Sequence, residues 1–368
     1  MPDDSHPSDE ILLERRGGLA IVTLNRPKAL NTLTLGMYRT LDPDLLAWGT
    51  DPAVHAVLIR GAGGRAFCAG GDVRAIFEAG RGNTSGLTAD FFREEYCLIQ
   101  RVYRFPKPYV ALLDGITMGG GAGVSIHGSH RVATERFLFA MPETAIGLFP
   151  DIGATTFLNR CPGRIGRYLG LTGARLGAAD ALYCGLVTHY VPSERLAALT
   201  ERLAALAWRP GEARAQVDRL LAELGAPAGP PPLAEIREGI DRCFAADSVE
   251  AIIAALGKER GAWAEAALQA LAKASPTSLK ITLRQLTLGA GFDVEAALQL
   301  EYRMTQHAMQ RHDFFEGVRA LLVDKDQAPR WQPAGLAEVG AAEVDFYFRP
   351  IGARELRFEG GEGREQKP

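Results

Sequence analysis

The first half of the chain alternates two apolar patterns. Residues 19–27 (LAIVTLNRP), 55–63 (HAVLIRGAG) and 108–115 (PYVALLDG) are short apolar runs rich in β-branched residues. Each is closed by Gly, Pro or Asn, and they predict buried strands. Between them, TLGMYRTLDPDLLAWG and TADFFREEYCLIQRVYRF repeat apolar residues every three or four positions, which predicts helices. Strands alternating with helices predict a layered α/β architecture in which helices cover sheet faces. From Leu196 onward the strand pattern stops. Residues 225–236 (GAPAGPPPLAEI) are the densest Pro/Gly stretch and predict a linker. Helical patterns then run to about Leu322, with a helix start at Ser275-Pro276, where proline is tolerated in the first turn. The expected organisation is a core over 11–224, the linker, a helical region over 237–358, and disordered ends at 1–10 and 359–368.

Composition adds exclusions. The 368 residues are 47% hydrophobic and 23% charged with net charge −3, enough apolar content for a large core and no overall basic footprint for nucleic acid. An anionic small molecule needs only a local basic patch and stays open. No apolar run reaches the length of a membrane span. The start, MPDDSHPSDE, is acidic and lacks the features of a secretion or transit signal, so the default expectation is the cytoplasm of a bacterium, or else an unprocessed matrix-like setting. The five cysteines are scattered without a zinc spacing, and His127 and His130 have no third ligand nearby, so no metal is expected.

Two glycine-rich elements each follow an apolar run and precede a helical pattern: GAGGRAFCAGGD, ending in Ala69-Gly70-Gly71-Asp72, and GITMGGGAG, with Gly119-Gly120-Gly121. A strand leading through glycines to a helix start offers free N–H groups to a negative or polarised oxygen. Neither element has the Lys-Ser/Thr of a phosphate loop, and no ribose-binding acid follows at the expected distance. Two N–H groups from separate loops suit an oxyanion formed at a thioester carbonyl. The acid of MPETAIG, Glu143, would supply the base or nucleophile. Cys68 reads as a small buried residue, since no histidine stands at a partner position.

FCAGGD, MGGGAGVSIHG and MPETAIGLFPDIGA, in this order, resemble the crotonase (enoyl-CoA hydratase/isomerase) superfamily. FFREEY, SPTSLKITLRQL, EYRMTQHAM and HDFFEGVRALLVDKDQAPRW narrow the resemblance to its 3-hydroxyisobutyryl-CoA hydrolase branch, over about residues 11–358. The resemblance implies a spiral of ββα units with a C-terminal helical region, and it assigns roles. Gly71 and Gly120 match the oxyanion-hole amides, and Glu143 the acid at the reacting carbon. Asp151 and Glu95 match polar positions of the acyl pocket. Lys28, Ala29 and Leu30 fall where CoA is cradled, with Ala69 and Asp72 flanking the same channel. Where a hydratase of the superfamily has a second catalytic Glu, this chain has Gly123, and glycine cannot deliver a proton. The implied activity is hydrolysis of a short branched 3-hydroxyacyl-CoA, 3-hydroxyisobutyryl-CoA of valine breakdown above all. No cofactor is expected beyond the CoA of the substrate, and the superfamily implies a trimer-based homo-oligomer. The alternatives are a hydratase or isomerase acting on another short acyl-CoA, and a non-catalytic acyl-CoA-binding protein.

Overall fold

The computed structural model describes residues 7–81 and 85–358. Among the described residues, nine strands form two sheets. β1 (Ile11–Arg16), β2 (Leu19–Leu24), β3 (Ala56–Gly61), β5 (Tyr109–Leu113), β7 (His130–Ala133) and β9 (His189–Tyr190) make a six-stranded sheet in the order β1-β2-β3-β5-β7-β9. Only β1 runs antiparallel, paired with β2. β4 (Ala66–Cys68), β6 (Ile116–Met118) and β8 (Leu138–Ala140) make a smaller, wholly parallel sheet in the order β4-β6-β8. The chain advances through both sheets in step. β3–β4, β5–β6 and β7–β8 each place their first strand in the large sheet and their second in the small one, and each second strand is followed by a helix or 3-10 turn. This is the ββα spiral.

Both faces of the large sheet are buried, which is why its parallel strands read as unbroken apolar runs rather than alternating ones. Ala20, Val22, Val57, Ile59 and Ala111 join the main core, while Leu19, Ile21, Leu58, Val110 and Leu112 face Leu199, Leu203, Val217 and Leu221 of the helices Leu196–Ala204 and Ala213–Leu224. The main core continues into the C-terminal helices through Ile240, Leu279, Leu298 and Phe314, so this region is packed into the same interior.

Two boundaries differ from the expected organisation. The irregular stretch ends at residue 231, because Pro232 opens the helix Pro232–Phe244, whose Leu233 N–H donates to Asp180. Residues 7–10 form a helical turn: Glu10 pairs with Arg26 at 3.0 Å and accepts from the Thr34 hydroxyl at 2.8 Å. Residues 1–6 and 359–368, expected to be disordered, lie outside the described residues. The helix start at Ser275-Pro276 is present, with the Ser275 hydroxyl accepting from Ser278 N–H.

The third glycine of the triplet is explained by packing. A Cβ on Gly121 would collide with the Cys68 carbonyl, because the helix Gly120–Ile126 lies directly on β4. Gly121→Ala is expected to lower the stability of the protein by about 1–3 kcal/mol, the range for overpacking a tight interior, read as a fall in the urea midpoint.

Candidate active site

Parallel pairing of β4, β6 and β8 sets their carboxyl ends side by side, the usual place for a ligand on a parallel sheet. Gly71 follows β4, Gly120 follows β6, and Glu143 follows β8 as the first residue of the 3-10 turn Glu143–Ile146. All three line one cavity of about 260 Å³, together with Ala69, Gly119, Glu95 and Asp151. A larger surface groove beside Arg101 and Arg104 contains only charges already paired with Asp42 and Glu295, so we place the chemistry in the smaller cavity.

The amides beside the cavity differ in how they are bonded. In the loop after β4, the Ala69 and Asp72 N–H groups are engaged by the Leu30 and Leu33 carbonyls at 3.0 and 2.8 Å. Among the described residues, the Gly71 N–H donates to no acceptor. Gly120 opens its helix, where an N–H has no partner within the helix. The two sites are adjacent: a Cβ on Gly120 would lie 3.0 Å from Gly71 N, 2.6 Å from Glu95 Oε1 and 3.2 Å from the Tyr38 hydroxyl oxygen. No side chain larger than hydrogen fits there. Gly119, at φ 46°, brings the backbone past the acid, and a Cβ on it would lie 3.5 Å from Glu143 Oε1.

Three buried carboxyls share the cavity. Glu95, 3% exposed, accepts from the Tyr38 hydroxyl at 2.6 Å, so it is no surface charge on its helix. Asp151 accepts from the Tyr96 hydroxyl at 2.7 Å rather than capping the following helix, whose N-cap is Gly153. Glu143 Oε2 is buried without a hydrogen-bond partner. Among the lining residues there is no Lys, Arg or His to balance these acids. Burial, reinforced by the charge of Asp151 and then of Glu95, holds the Glu143 carboxyl well above the usual carboxylate range. Glu95 is raised by burial and by Asp151, against the pull of its Tyr38 bond. Burial also raises Asp151, with the Tyr96 hydroxyl opposing it. The charge of Asp151 raises both Glu95 and Glu143, so the titrations of the three are linked. Burial pushes the Cys68 thiol up to about 12, so it is an inert packing residue.

The C-terminal region completes the cavity. Leu321 and Leu322, on the π-helical turn Arg319–Val323, line its wall, and Arg319 ties that turn to Glu316, Asp324 and Asp326. The turn bearing Glu143 is held by Ser275 N–H donating to the Thr144 carbonyl at 3.0 Å. Of the expected CoA residues Ala69 lines the cavity, while Lys28, Ala29, Leu30 and Asp72 sit outside it. Lys28 is exposed and Ala29 and Leu30 half-buried on a 3-10 turn, joined to the cavity through the bond of the Leu30 carbonyl to Ala69 N–H. Asp72 faces Arg26, at 3.3 Å, and accepts from Ala75 N–H. The sequence pattern did not point to Tyr38, Tyr96, Leu321 or Leu322. The available signal for the tyrosines was the rule that a buried hydroxyl needs a partner.

Two adjacent amides and a buried acid thus share one cavity at the end of a ββα spiral, the fold of the crotonase class. The chain belongs to the enoyl-CoA hydratase/isomerase family, whose sequence profile matches residues 19–348. It is 46% identical to the mitochondrial 3-hydroxyisobutyryl-CoA hydrolase of Homo sapiens, over 97% of this chain and 93% of that protein. To the Mus musculus enzyme of the same name it is 47% identical, over 95% and 91%. Among solved structures, a carnitinyl-CoA dehydratase from Mycobacterium thermoresistibile superposes with a TM-score of 0.89 at 42% identity, covering 96% of this chain and 99% of that one. An enoyl-CoA hydratase from Rhodobacter sphaeroides gives 0.86 at 39% identity, covering 95% and 100%. The relatives overturn the cytoplasmic expectation, since both hydrolases are mitochondrial by name. That expectation rested on the lack of leader-like residues, which does not report a compartment.

The crowded carboxyls have consequences for pH. Glu143 keeps its proton to higher pH in the folded protein than in the unfolded chain, where it ionises near ~4.3. Its contribution to stability is therefore whole below the unfolded value and is lost as pH rises through the folded one. Glu143→Gln, neutral throughout, is expected to be more stable than the parent at pH 8 by about 1 kcal/mol or more, with the difference vanishing near pH 4, in urea melts at both pH values. Tyr96→Phe removes the donor that opposes the rise at Asp151. The acidic limb of the rate profile is expected to move up by about one pH unit, and an unmoved limb would separate Asp151 from it.

Proposed function

We propose that the protein hydrolyses 3-hydroxyisobutyryl-CoA to 3-hydroxyisobutyrate and CoA, a step of valine breakdown, with no resident cofactor. The observation that carries this reading is the packing at Gly123. A Cβ there would lie 2.8 Å from Ile99 Cδ1 and 3.2 Å from Ile152 Cβ, so the position where a hydratase of the family has its second acid is filled by apolar side chains. Hydration of a double bond then lacks one of its two proton-transfer groups. The names of the hydrolase relatives agree with this reading.

In the proposed reaction the thioester oxygen accepts from Gly71 and Gly120 N–H, which stabilise the charge that develops as the carbonyl is attacked. Glu143 delivers that attack, either itself or through a water. Asp151 and Glu95, each held by a tyrosine hydroxyl, orient the substrate hydroxyl and the attacking water. Lys28, Ala29 and Leu30, with Ala69 and Asp72, guide the CoA. Assembly into trimer-based oligomers belongs to the same proposal and is read by sedimentation.

Release of free CoA from 3-hydroxyisobutyryl-, 3-hydroxypropionyl- and crotonyl-CoA tests the assignment. The first is expected to be the best substrate, and crotonyl-CoA is expected to keep its enoyl absorbance. Rapid loss of that absorbance would mean a hydratase. Glu143→Gln is expected to lower turnover by about 10²–10⁴-fold while CoA-ester binding survives. A variant retaining a substantial share of wild-type turnover removes Glu143 from the chemistry.

A further inference from the structure

Asp151 lies on an irregular loop with an unusual conformation. Ile152, next to it, is β-branched yet has φ 59°, and such a backbone persists only where its surroundings hold it. The holders are specific. The Pro150 carbonyl accepts from Gln285 Nε2 at 2.7 Å, and the Ile152 carbonyl accepts from His127 Nε2 at 2.8 Å. The carboxylate of Glu301 accepts four bonds: from Gly153 N–H at 2.6 Å, Thr155 N–H at 2.8 Å, the Thr155 hydroxyl at 2.6 Å and, longest, Gln285 Nε2 at 3.5 Å. Glu301 has no exposed surface. It stands on the helix Val294–Ala308 and Gln285 on Pro276–Leu288, both from the C-terminal region and far in sequence from the loop they hold.

We propose that Glu301 is a positioning residue for the reaction: by binding the backbone just after Asp151, it fixes where the Asp151 carboxylate points. The side chain of Asp151 has one side-chain donor, the Tyr96 hydroxyl, so its aim depends on its backbone. Glu301 is not among the residues that line the cavity, and its hydrogen bonds reach Asp151 through the loop. The C-terminal helices are thereby part of the catalytic apparatus as well as its cover. This inference rests on the hydrolase reading above for its kinetic consequence, but not for the loop contacts themselves.

The test is a double-mutant cycle with 3-hydroxyisobutyryl-CoA, using wild type, Glu301→Gln, Asp151→Asn and the double variant, each shown to be folded by circular dichroism and gel filtration. A Gln has one acceptor oxygen and turns an N–H₂ toward donors that need an acceptor. Glu301→Gln is expected to lower kcat by about 10–100-fold, as a small misplacement does, with KM within about 3-fold of wild type. In the Asp151→Asn background the same substitution is expected to cost less than about 2-fold, because the aim of a missing carboxylate no longer matters. An unchanged kcat, or an equal loss in both backgrounds, overturns the proposal. If Glu301→Gln does not fold, Thr155→Val replaces it in the cycle. It removes the hydroxyl that donates to Glu301 and accepts from Gln285 Nε2, with an expected loss of about 3–10-fold that must again vanish without Asp151. Hydrogen exchange of residues 150–155 gives a readout without substrate, expected to rise in Glu301→Gln while the sheet strands stay protected. Wild-type protein inert toward the thioester would remove the hydrolase reading alone. Unchanged exchange in Glu301→Gln would remove the positioning role whatever the reaction.

Discussion

Everything at the site depends on the parallel pairing of three very short strands. β4, β6 and β8 contribute only three residues each, yet their register sets the chain exits after Cys68, Met118 and Ala140 side by side. Those exits deliver the Gly71 amide, the Gly120 amide and the Glu143 carboxyl to one point. Strands so short bury little by themselves. They are held because each follows, after a short link, a strand of the large sheet, whose two faces are closed by separate sets of apolar side chains. The large sheet supplies the stability, and the small one converts it into a geometry.

The cost of that geometry is electrostatic. Three carboxyls are placed in a cavity with no basic residue among its lining, and the fold offsets this only partly, with one tyrosine hydroxyl each for Glu95 and Asp151. Glu143 has an oxygen with no partner at all. An unsatisfied buried acceptor is unfavourable in the empty protein, and for that reason it is available to a substrate or a water. A buried acid held above its ordinary range is also a stronger base when it does ionise.

How much of this was legible in the sequence follows from range. β2, β3 and β5 were visible because burial on both faces leaves long apolar runs. β4, β6 and β8 are too short to show a period, but the glycines and the acid that follow them could be read, since their chemistry is local. The buried carboxyls were legible as residue types. The groups that tune them were not: Tyr38 and Tyr96 look like ordinary members of helical stripes, and Glu301 like one more acid in LQLEYRM. Their roles come from contacts across 57, 55 and 146 positions of chain, which no local pattern encodes. Leu321 and Leu322 reach the cavity by the same kind of long return.

The distinction between hydrolase and hydratase also has a steric side. The space that a side chain at position 123 would need is taken by Ile99 and by Ile152, and Ile152 is the immediate neighbour of Asp151. Ile152 occupies that space in a left-handed backbone conformation held from both sides, by His127 and by Glu301 beyond Gly153. The loop that fills the place of the second acid is therefore the loop that brings Asp151 into the cavity. In the proposed hydrolase these are two faces of one structural change. A side chain at 123 would press on Ile99 Cδ1 at 2.8 Å and on Ile152 Cβ at 3.2 Å, so an acid placed there has to displace apolar side chains, one of them on the loop that carries Asp151.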